Sequence, residues 1–382
     1  MVADYPRDAE SLDGGVQAVT AYLVAELARC REVALHVVTF DSSVKGLETF
    51  SKNGVSHYYL PTQRLGAMTR WAYDLKRLRH CLARINPDVV HAQGVGVDGF
   101  LSVKSGYPAL VTIHGMIGED AKFTSGWLAS TRLRLQSWIA EKYCAVHARR
   151  TILISPYVQE YYGSLLQGPS HFIPNPVHER FFKVKRSEAS HQLLFAGRLI
   201  PRKGVLELIE AFARAREHVD IHLTVAGSLA DVQYVNRVRQ RIKALGVEPY
   251  VSLCGLLKEA ELLDEFAKAA VLVLPSYQET APMVIQQAMA ASIPVIATRV
   301  CGVPYQVTHG KTGLVFEPGD VAELTGCLVR LMKNHTERGA MGQEARRRAL
   351  AEYSAEHVAA ETVDVYKAMI DEVSSAGGVR EA

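Results

Sequence analysis

The chain has 382 residues, 48% hydrophobic, 22% charged and 8% aromatic, a composition typical of a globular protein. This length predicts about two domains. The 43 Lys and Arg residues nearly balance the 40 Asp and Glu residues, and the formal net charge of +3 does not indicate a nucleic-acid partner. The six cysteines have no C-x-x-C pair or regular spacing, which argues against a disulfide framework or structural zinc site and predicts a reducing, cytoplasmic compartment. No apolar run approaches the ~20 residues of a transmembrane helix, and the first residues do not read as a signal peptide.

Short apolar runs rich in β-branched residues alternate with helical patterns along the chain. A first set of strands is predicted over 34–40, 88–91, 110–114, 151–154 and 171–173. A second set is predicted over 192–196, 222–226, 250–253, 271–274, 295–298 and 314–316. The main helices between them are predicted over 15–29, 69–85, 127–145, 205–216, 231–245 and 283–291. Apolar strands joined by helices predict buried parallel sheets, the doubly wound α/β architecture.

The two sets of strands predict two Rossmann-like domains. Prolines interrupt the seam at 173–176, and the polar stretch 183–188 lacks periodicity, as expected of a linker. The N-terminal domain is therefore predicted over 1–180 and the C-terminal domain over 181–353. A helix over 354–375 is expected to cross back and complete the N-terminal domain. Two such domains would face each other across a cleft at the carboxyl ends of their strands, where open α/β sheets bind ligands.

A loop with two cations connects the first strand of the second set to its helix. Arg198 and Lys203 lie five residues apart, so together they can reach both phosphates of a diphosphate. The N–H groups of the helix that Gly204 opens would add partial positive charge. On their own, the two cations are equally compatible with a solvated basic loop.

A second loop places a carboxylate before a helix. Glu279 follows a buried strand, and Pro282 is suited to be the first helical residue. A carboxylate beside free helix amides can hydrogen-bond a polyol with acceptors and donors together. Taken alone, Glu279 is more simply interpreted as a cap of its own helix.

In order and spacing, these two loops resemble the retaining GT-B glycosyltransferases of family 4. Further matching stretches lie at 14–17, 173–175, 292–298 and 309–315, and His91 and His114 each close a predicted strand. The resemblance covers nearly the whole chain, densely over 192–320 and more loosely before residue 180. It implies an α/β GT-B fold with two Rossmann-like doubly wound domains.

The resemblance also implies roles for the residues that meet the donor. Gly14 and Gly15 would let the backbone approach its phosphates, and Arg198 and Lys203 would neutralise the leaving nucleoside diphosphate. Because these fixed cations would take the place of a divalent ion, no metal or other cofactor is expected.

The transferred sugar would be held by residues of both domains. Glu279, as the first Glu of the family's E-x7-E motif, would accept hydrogen bonds from its hydroxyls, and His114 would lie beside it, whereas His91 is expected to be structural. The donor-binding residues implied after Glu279 are Thr280, Ala281, Pro282, Met283 and Gln287.

The sequence departs from the family pattern at the second Glu of the motif, where it has Gln287. An amide accepts through one oxygen and without charge assistance, which would weaken ribose recognition by about 1–3 kcal/mol. We therefore predict a variant active site. Ser292, Cys301 and Pro176 also stand where glycine is usual, and Tyr305 stands where Glu is common.

Two other patterns point to different nucleotide sites. Residues 94–99 fit the G-x-G-x-x-G fingerprint, but Gly106 follows too soon for a full crossover helix, so we interpret the segment as a glycine-rich cleft loop. Residues 309–312 end like a P-loop, but Tyr305 occupies the position of the first glycine and a strand follows where a helix is required.

The predicted function is retaining transfer of a hexosyl unit from a nucleoside-diphosphate sugar to a saccharide or lipid-linked acceptor, in polysaccharide or glycolipid biosynthesis. A sugar-nucleotide epimerase on the same fold and a non-catalytic sugar- or nucleotide-binding relative are the alternatives. The basic helices over 69–85 and 127–145 are either packed helices with solvated outer faces or contacts with an anionic membrane. Our hypothesis is a cytoplasmic protein peripherally associated with the inner face of the membrane.

Overall fold

The chain forms two compact units, Met1–Pro176 with Ala355–Ala382, and Val177–Ser354. The computed structural model describes residues 1–7, 14–62, 67–123, 126–186 and 191–378, with the backbone alone for 67–70, 128 and 376–378. The first unit ends at Pro176, whereas the sequence predicted the boundary at residue 180. The last helix belongs to the first unit.

Two groups of strands in the first unit are joined through Val2. The strands are β1 (His36–Asp41), β2 (Glu48–Lys52), β3 (Val55–Pro61), β4 (Val90–Gln93), β5 (Ala109–Ile113), β6 (Arg150–Leu153) and β7 (Ser170–Phe172). One group has the order β1-β3-β2 and the other β4-β5-β6-β7. Val2 forms parallel bridges with Val38 of β1 and Ala92 of β4, so the groups make one continuous sheet.

The hairpin of β2 and β3 was not predicted. β2 pairs antiparallel with β3, and all of its residues are exposed, so it carries no apolar alternation in sequence. The predicted parallel pairing is confirmed for the other strands of this sheet.

Helices of the first unit pack around this sheet. They are α1 (Gly15–Leu27), α2 (Ala67–Ile85), α3 (Val97–Val103), α4 (Ile117–Asp120), α5 (Trp127–Gln136), α6 (Lys142–His147), α7 (Pro156–Tyr162) and the C-terminal helix (Ala355–Gly378). The C-terminal helix contributes Val358, Val363 and Met369 to the same buried cluster as Leu23 and Leu27 of α1. Apolar burial against α1 therefore fixes the end of the chain to the first unit.

The helix predicted over 127–145 is confirmed, with a π-helical turn, Ser137–Glu141, between α5 and α6. The prediction for the glycine-rich segment was wrong in part. The glycine-rich segment 94–99 is not only a loop, since α3 begins at Val97. Within α3, a Cβ on Gly99 would lie 2.2 Å from the carbonyl oxygen of Gly94, so the glycine is required by close packing.

The strands of the second unit form a parallel sheet in the order of a classical dinucleotide fold. They are β8 (Gln192–Ala196), β9 (His222–Ala226), β10 (Val251–Gly255), β11 (Ala269–Leu274), β12 (Val295–Thr298) and β13 (Gly313–Phe316). Their order, β10-β9-β8-β11-β12-β13, is 3-2-1-4-5-6 when counted from β8. The order reverses between β8 and β11, and the crevice outside their carboxyl ends is the topological switch point.

Helices connect these strands, and the predicted linker belongs to the unit as well. The helices are α8 (Glu179–Phe182), α9 (Val205–Arg216), α10 (Val232–Ala244), α11 (Glu259–Lys268), α12 (Met283–Ala290), α13 (Val303–Gln306), α14 (Val321–Lys333) and α15 (His335–Glu352). In the predicted linker, Arg186 donates to the carbonyl oxygens of Ala269, Ala270 and Ser292. Burial lowers the pKa of Arg186 to about 10. This part of the segment is thus an anchor; residues 187–190 lie outside the described residues.

Candidate active site

The loops after β8 and β11 lie against each other at the switch point. Gly204 ends the β8 loop with a φ of +65°, and a Cβ there would lie 2.1 Å from the carbonyl oxygen of Pro275. The backbone N–H of Tyr277 donates to the carbonyl oxygen of Arg202 over 2.8 Å, and the Arg202 guanidinium donates to the carbonyl oxygen of Gln278 over 3.2 Å. The two loops that the sequence singled out are therefore one packed structure.

This packing brings Lys203 and Glu279 together as an ion pair. The Lys203 side chain is 12% exposed and that of Glu279 is 8% exposed. The hydroxyl of Ser276 donates to Oε1 of Glu279 over 2.7 Å. Lys203 therefore lacks the solvated position that the simpler interpretation of the basic loop required.

Arg198, the other predicted cation, is exposed on the same loop and forms no ion pair with any described residue. Its guanidinium is therefore available to an anion from solution, whereas the ammonium of Lys203 is already neutralised.

Glu279 does not act as the cap of α12. The residue before this helix is Pro282, with ψ of 120°, and α12 has no side-chain cap among the described contacts. Pro282 is thus the residue preceding the helix and not its first residue, which corrects the prediction. Met283 begins α12, and Gln287 follows one turn later on the same face. Both are largely buried.

The helix after the cationic loop does not offer its first N–H groups to a ligand. The phenol oxygen of Tyr234, in α10, accepts from the N–H of Val205 over 3.1 Å and of Leu206 over 3.3 Å. The predicted contribution of the α9 amides is therefore wrong, since a side chain from α10 already satisfies them. The uncapped start of α12 is the better source of free amides.

In the first unit, Gly14 precedes α1 and His114 follows β5. Gly14 has a φ of 106° and precedes α1, and no described atom lies within 4 Å of a Cβ placed on it, so backbone conformation favours glycine there. His114 follows β5, with Nε2 2.8 Å from Oε1 of Gln93. Burial lowers the pKa of His114 to about 4, and the side chain of Asn175 opposes that shift in part.

His91 has the structural role that was predicted. It is 2% exposed, with Nδ1 2.7 Å from the hydroxyl of Tyr366 and Nε2 2.7 Å from the hydroxyl of Thr112. Both ring nitrogens are therefore satisfied inside the first unit.

Sequence reasoning missed Ser276 and Gln93. No sequence signal identifies Ser276, because its contact with Glu279 depends on how the loop turns. Gln93 could have been predicted from the sequence, since alternation along β4 puts it on the same face as His91.

The two basic helices differ in what they expose. The apolar face of α2 is buried through Trp71, Leu78 and Leu82, which leaves a packed helix with a solvated basic face. By contrast, Trp127 is 76% exposed and Trp138 is 66% exposed. Among the described residues, no helix combines the length and apolar character needed to cross a membrane.

Comparison with known families identifies both halves of the chain. Residues 177–348 match the family model for glycosyl transferases group 1, and residues 13–181 match the model for glycosyltransferase family 4. Two Rossmann-like units with these matches define a glycosyltransferase with the GT-B fold. The chain belongs to glycosyltransferase family 4.

Individual relatives are glycosyltransferases of several kinds. The chain is 28% identical over 301 residues to the MMP alpha-(1->4)-mannosyltransferase of Mycolicibacterium hassiacum. The aligned residues cover 75% of this chain and 72% of that enzyme. It is 32% identical over 183 residues to the D-inositol 3-phosphate glycosyltransferase of an Arthrobacter species, which covers 47% of this chain and 43% of that enzyme. The structure of the sucrose-phosphate synthase of Thermosynechococcus elongatus is similar to this one, with a TM-score of 0.81 and 19% sequence identity. The match covers 97% of this chain and 99% of that one, and at this identity it shows the fold alone.

Proposed function

We propose that the protein transfers a hexosyl unit from a nucleoside-diphosphate sugar to a saccharide or lipid-linked acceptor, with retention at the anomeric carbon and without a metal ion. The observation that carries this proposal is the pair of Lys203 and Glu279 beside Arg198 at the switch point between β8 and β11. One place in the fold thus offers cations for a diphosphate and a carboxylate for sugar hydroxyls.

In this mechanism the charge that develops on the leaving diphosphate is stabilised by Arg198 and Lys203. The N–H groups at the start of α12 add partial positive charge, beginning with Met283. Pro282 has no N–H and cannot donate. Thr280, Ala281 and Pro282, which precede the helix, would contact the donor as the family resemblance implies.

The carboxylate of Glu279 would accept hydrogen bonds from hydroxyls of the transferred sugar. For this, the donor has to compete with Lys203 and Ser276, which hold the carboxylate in place. The leaving phosphate oxygen would take the proton of the acceptor hydroxyl as that hydroxyl attacks the same face of the anomeric carbon. Gln287 would meet the ribose through its amide.

The resemblance to family members assigns the first unit its part in this reaction. His114 would meet the transferred sugar, and the backbone at Gly14 and Gly15 would meet the donor phosphates. The exposed tryptophans of α5 and the following π turn support a lipid-linked acceptor at an anionic membrane surface, and for this reason we propose the contact on 127–145 and not on 69–85. On this basis we also propose a cytoplasmic location at the inner face of the membrane.

Binding of the donor is tested first, by thermal shift against UDP-, GDP- and ADP-sugars with chelator present. We expect one nucleotide to raise the melting temperature of the wild-type protein, and Glu279→Ala to lose most of the preference for the sugar nucleotide over the free diphosphate. A requirement for magnesium would overturn the metal-independent mechanism.

Products of the bound donor then separate the alternatives. Conversion of the donor to its epimer without an acceptor would identify an epimerase. Full function of Glu279→Ala in cells would identify a non-catalytic binding protein. The proposal expects transfer to an acceptor only, with retained configuration, and a loss of at least roughly a hundredfold in Glu279→Ala.

A further inference from the structure

The side chain of Gln93 lies between two imidazole rings at the end of β4. Its Oε1 is 2.8 Å from Nε2 of His114, and its Nε2 is 3.2 Å from Nε2 of His91. Gln93 is 6% exposed, so these contacts, and not water, satisfy its amide.

The orientation of the Gln93 amide in this structure sets where the protons are. An amide oxygen can only accept, so Nε2 of His114 carries the proton of that ring. An amide nitrogen can only donate, so Nε2 of His91 accepts, both from Gln93 and from the Thr112 hydroxyl. The proton of His91 is then on Nδ1, which donates to the hydroxyl of Tyr366 over 2.7 Å. A chain of hydrogen bonds therefore runs from the C-terminal helix to His114.

Both rings are neutral near pH 7. Burial lowers the pKa of His114 to about 4, with Asn175 opposing that shift in part. Burial is also the main cause that holds the pKa of His91 well below its ordinary value, and the amino terminus and His114 add to it. A neutral imidazole has one donor and one acceptor, so Nδ1 is the acceptor atom of His114.

We propose that Gln93 is a positioning residue: it fixes the Nε2–H tautomer of His114 and thereby makes Nδ1 the acceptor atom of that ring. His91 and Tyr366 act behind Gln93 by fixing the orientation of its amide. The inference rests on the proposed function in one respect, because it takes His114 as the group that meets the sugar.

Nitrogen-15 NMR of the histidine rings tests the tautomer without any substrate, with His114→Asn used to assign the signals. We expect the Nε2–H form of His114 in the wild-type protein and a mixture of tautomers in Gln93→Met. In Gln93→Glu the carboxylate raises the pKa of His114, so the ring becomes protonated at a higher pH. Thr39→Val is the matched control, because it removes a buried hydroxyl without a described partner from β1 of the same sheet. An unchanged His114 signal in both Gln93 variants would overturn the inference.

Kinetics then test the consequence for catalysis. Gln93→Met should lower kcat/KM roughly tenfold, the worth of one neutral hydrogen bond. Gln93→Glu should move the acidic limb of the activity profile to higher pH and regain activity above it, which a purely structural role does not predict. If the NMR results hold but His114→Ala keeps full activity, the role of His114 in the proposed function is wrong while the positioning by Gln93 stands.

Discussion

The ammonium group of Lys203 is ion-paired with the carboxylate of Glu279, and the two side chains are 12% and 8% exposed. Ser276 donates to the same carboxylate oxygen over 2.7 Å. Because both charges are largely withdrawn from water, each depends on the other for compensation. The two groups that we assign to the diphosphate and the sugar therefore also stabilise the loops that carry them.

Removal of one member of this pair should cost stability. Lys203→Met leaves the carboxylate of Glu279 without its cation, and we expect the free energy of unfolding to fall by about 3 kcal/mol, the lower end for breaking a buried pair. Lys203→Met combined with Glu279→Gln should regain most of that loss. Urea denaturation measures both effects.

The matched control for this prediction is Lys183→Met, which breaks the ion pair with Glu179 between side chains that are 68% and 60% exposed. A surface pair of this kind should change the free energy of unfolding by less than about 1 kcal/mol. If Lys203→Met is as stable as Lys183→Met, the buried pair contributes little to the loops.

The buried histidines should make the protein less stable in mild acid. In the unfolded chain each histidine binds a proton near pH ~6.5, whereas in the folded protein burial lowers the pKa of His114 to about 4 and that of His91 well below its ordinary value. Between these pH values unfolding takes up protons, so the free energy of unfolding falls as the pH falls from 6.5 towards 4. Above this window the histidines impose no such penalty.

Urea denaturation at a series of pH values checks the sign and the size of this effect. His114→Asn should reduce the slope, since it removes a contribution of up to about 3 kcal/mol. Thr39→Val, a buried change without a titratable group, should keep the wild-type slope. A slope that His114→Asn leaves unchanged would show that the ring is not kept neutral by the fold.

The second unit was predicted from the sequence more accurately than the first, for a physical reason. The strands over 192–196, 222–226 and 295–298 have the predicted bounds because they are buried in a parallel sheet and read as continuous apolar runs. β2 was missed because a strand exposed along its whole length has no such signal. The π turn at 137–141 was missed because one extra residue per turn does not alter the apolar pattern enough to be seen.

The candidate site residues also divide into those with a signal in the sequence and those without one. Arg198, Lys203 and Glu279 lie on the loops after β8 and β11, as the strand pattern predicted, and the roles that the family resemblance gave them stay predictions. The capping of α9 by Tyr234 could not be found, since it joins side chain and backbone across two helices whose spacing in sequence carries no signal.

Two residues that stand where glycine is usual adopt the left-handed backbone conformation, Ser292 with a φ of 60° and Cys301 with a φ of 46°. Such a conformation costs a non-glycine residue roughly 1–2 kcal/mol. Glycine avoids this cost, but it loses more conformational entropy on folding, which offsets part of the gain. Ser292→Gly should therefore raise the free energy of unfolding by about 0.5–1 kcal/mol. Gly246→Ala, at a φ of 67° with no described atom within 4 Å of the added Cβ, should change it by a similar amount in the opposite direction. Equal signs for the two variants in urea denaturation would contradict this argument.

Restoring the second Glu of the motif should strengthen nucleotide binding. If Gln287 meets the ribose, Gln287→Glu gains a charge-assisted acceptor and should bind the preferred nucleoside diphosphate roughly tenfold more tightly in calorimetry. Gln286→Glu is the matched control, because Gln286 is the adjacent residue and is fully buried, with an amide that has no described partner. That variant should lose stability without a gain in affinity. Equal affinities of Gln287→Glu and the wild-type protein would remove Gln287 from the ribose site.

The exposed tryptophans should anchor the protein to anionic membranes. Trp127 and Trp138 are eleven residues apart, about three turns along one side of the helical segment, with Arg134 exposed between them. Insertion of an indole ring into the interface withdraws apolar surface from water, and nearby arginines add attraction to anionic lipid. We expect the wild-type protein to sediment with vesicles of phosphatidylglycerol and phosphatidylcholine at low salt, and Trp127→Ala with Trp138→Ala to weaken that binding by roughly tenfold or more.

The other basic helix supplies the control for this experiment. Lys76→Gln and Arg84→Gln remove exposed cations of α2, whose tryptophan Trp71 is buried at 8% exposure and cannot insert. Because α2 exposes Tyr73 but buries its tryptophan, the loss of its cations should reduce binding far less than loss of the two indoles. Equal losses in both pairs would mean that charge alone holds the protein at the vesicle, and no sedimentation of the wild-type protein at low salt would remove the membrane contact from the proposal.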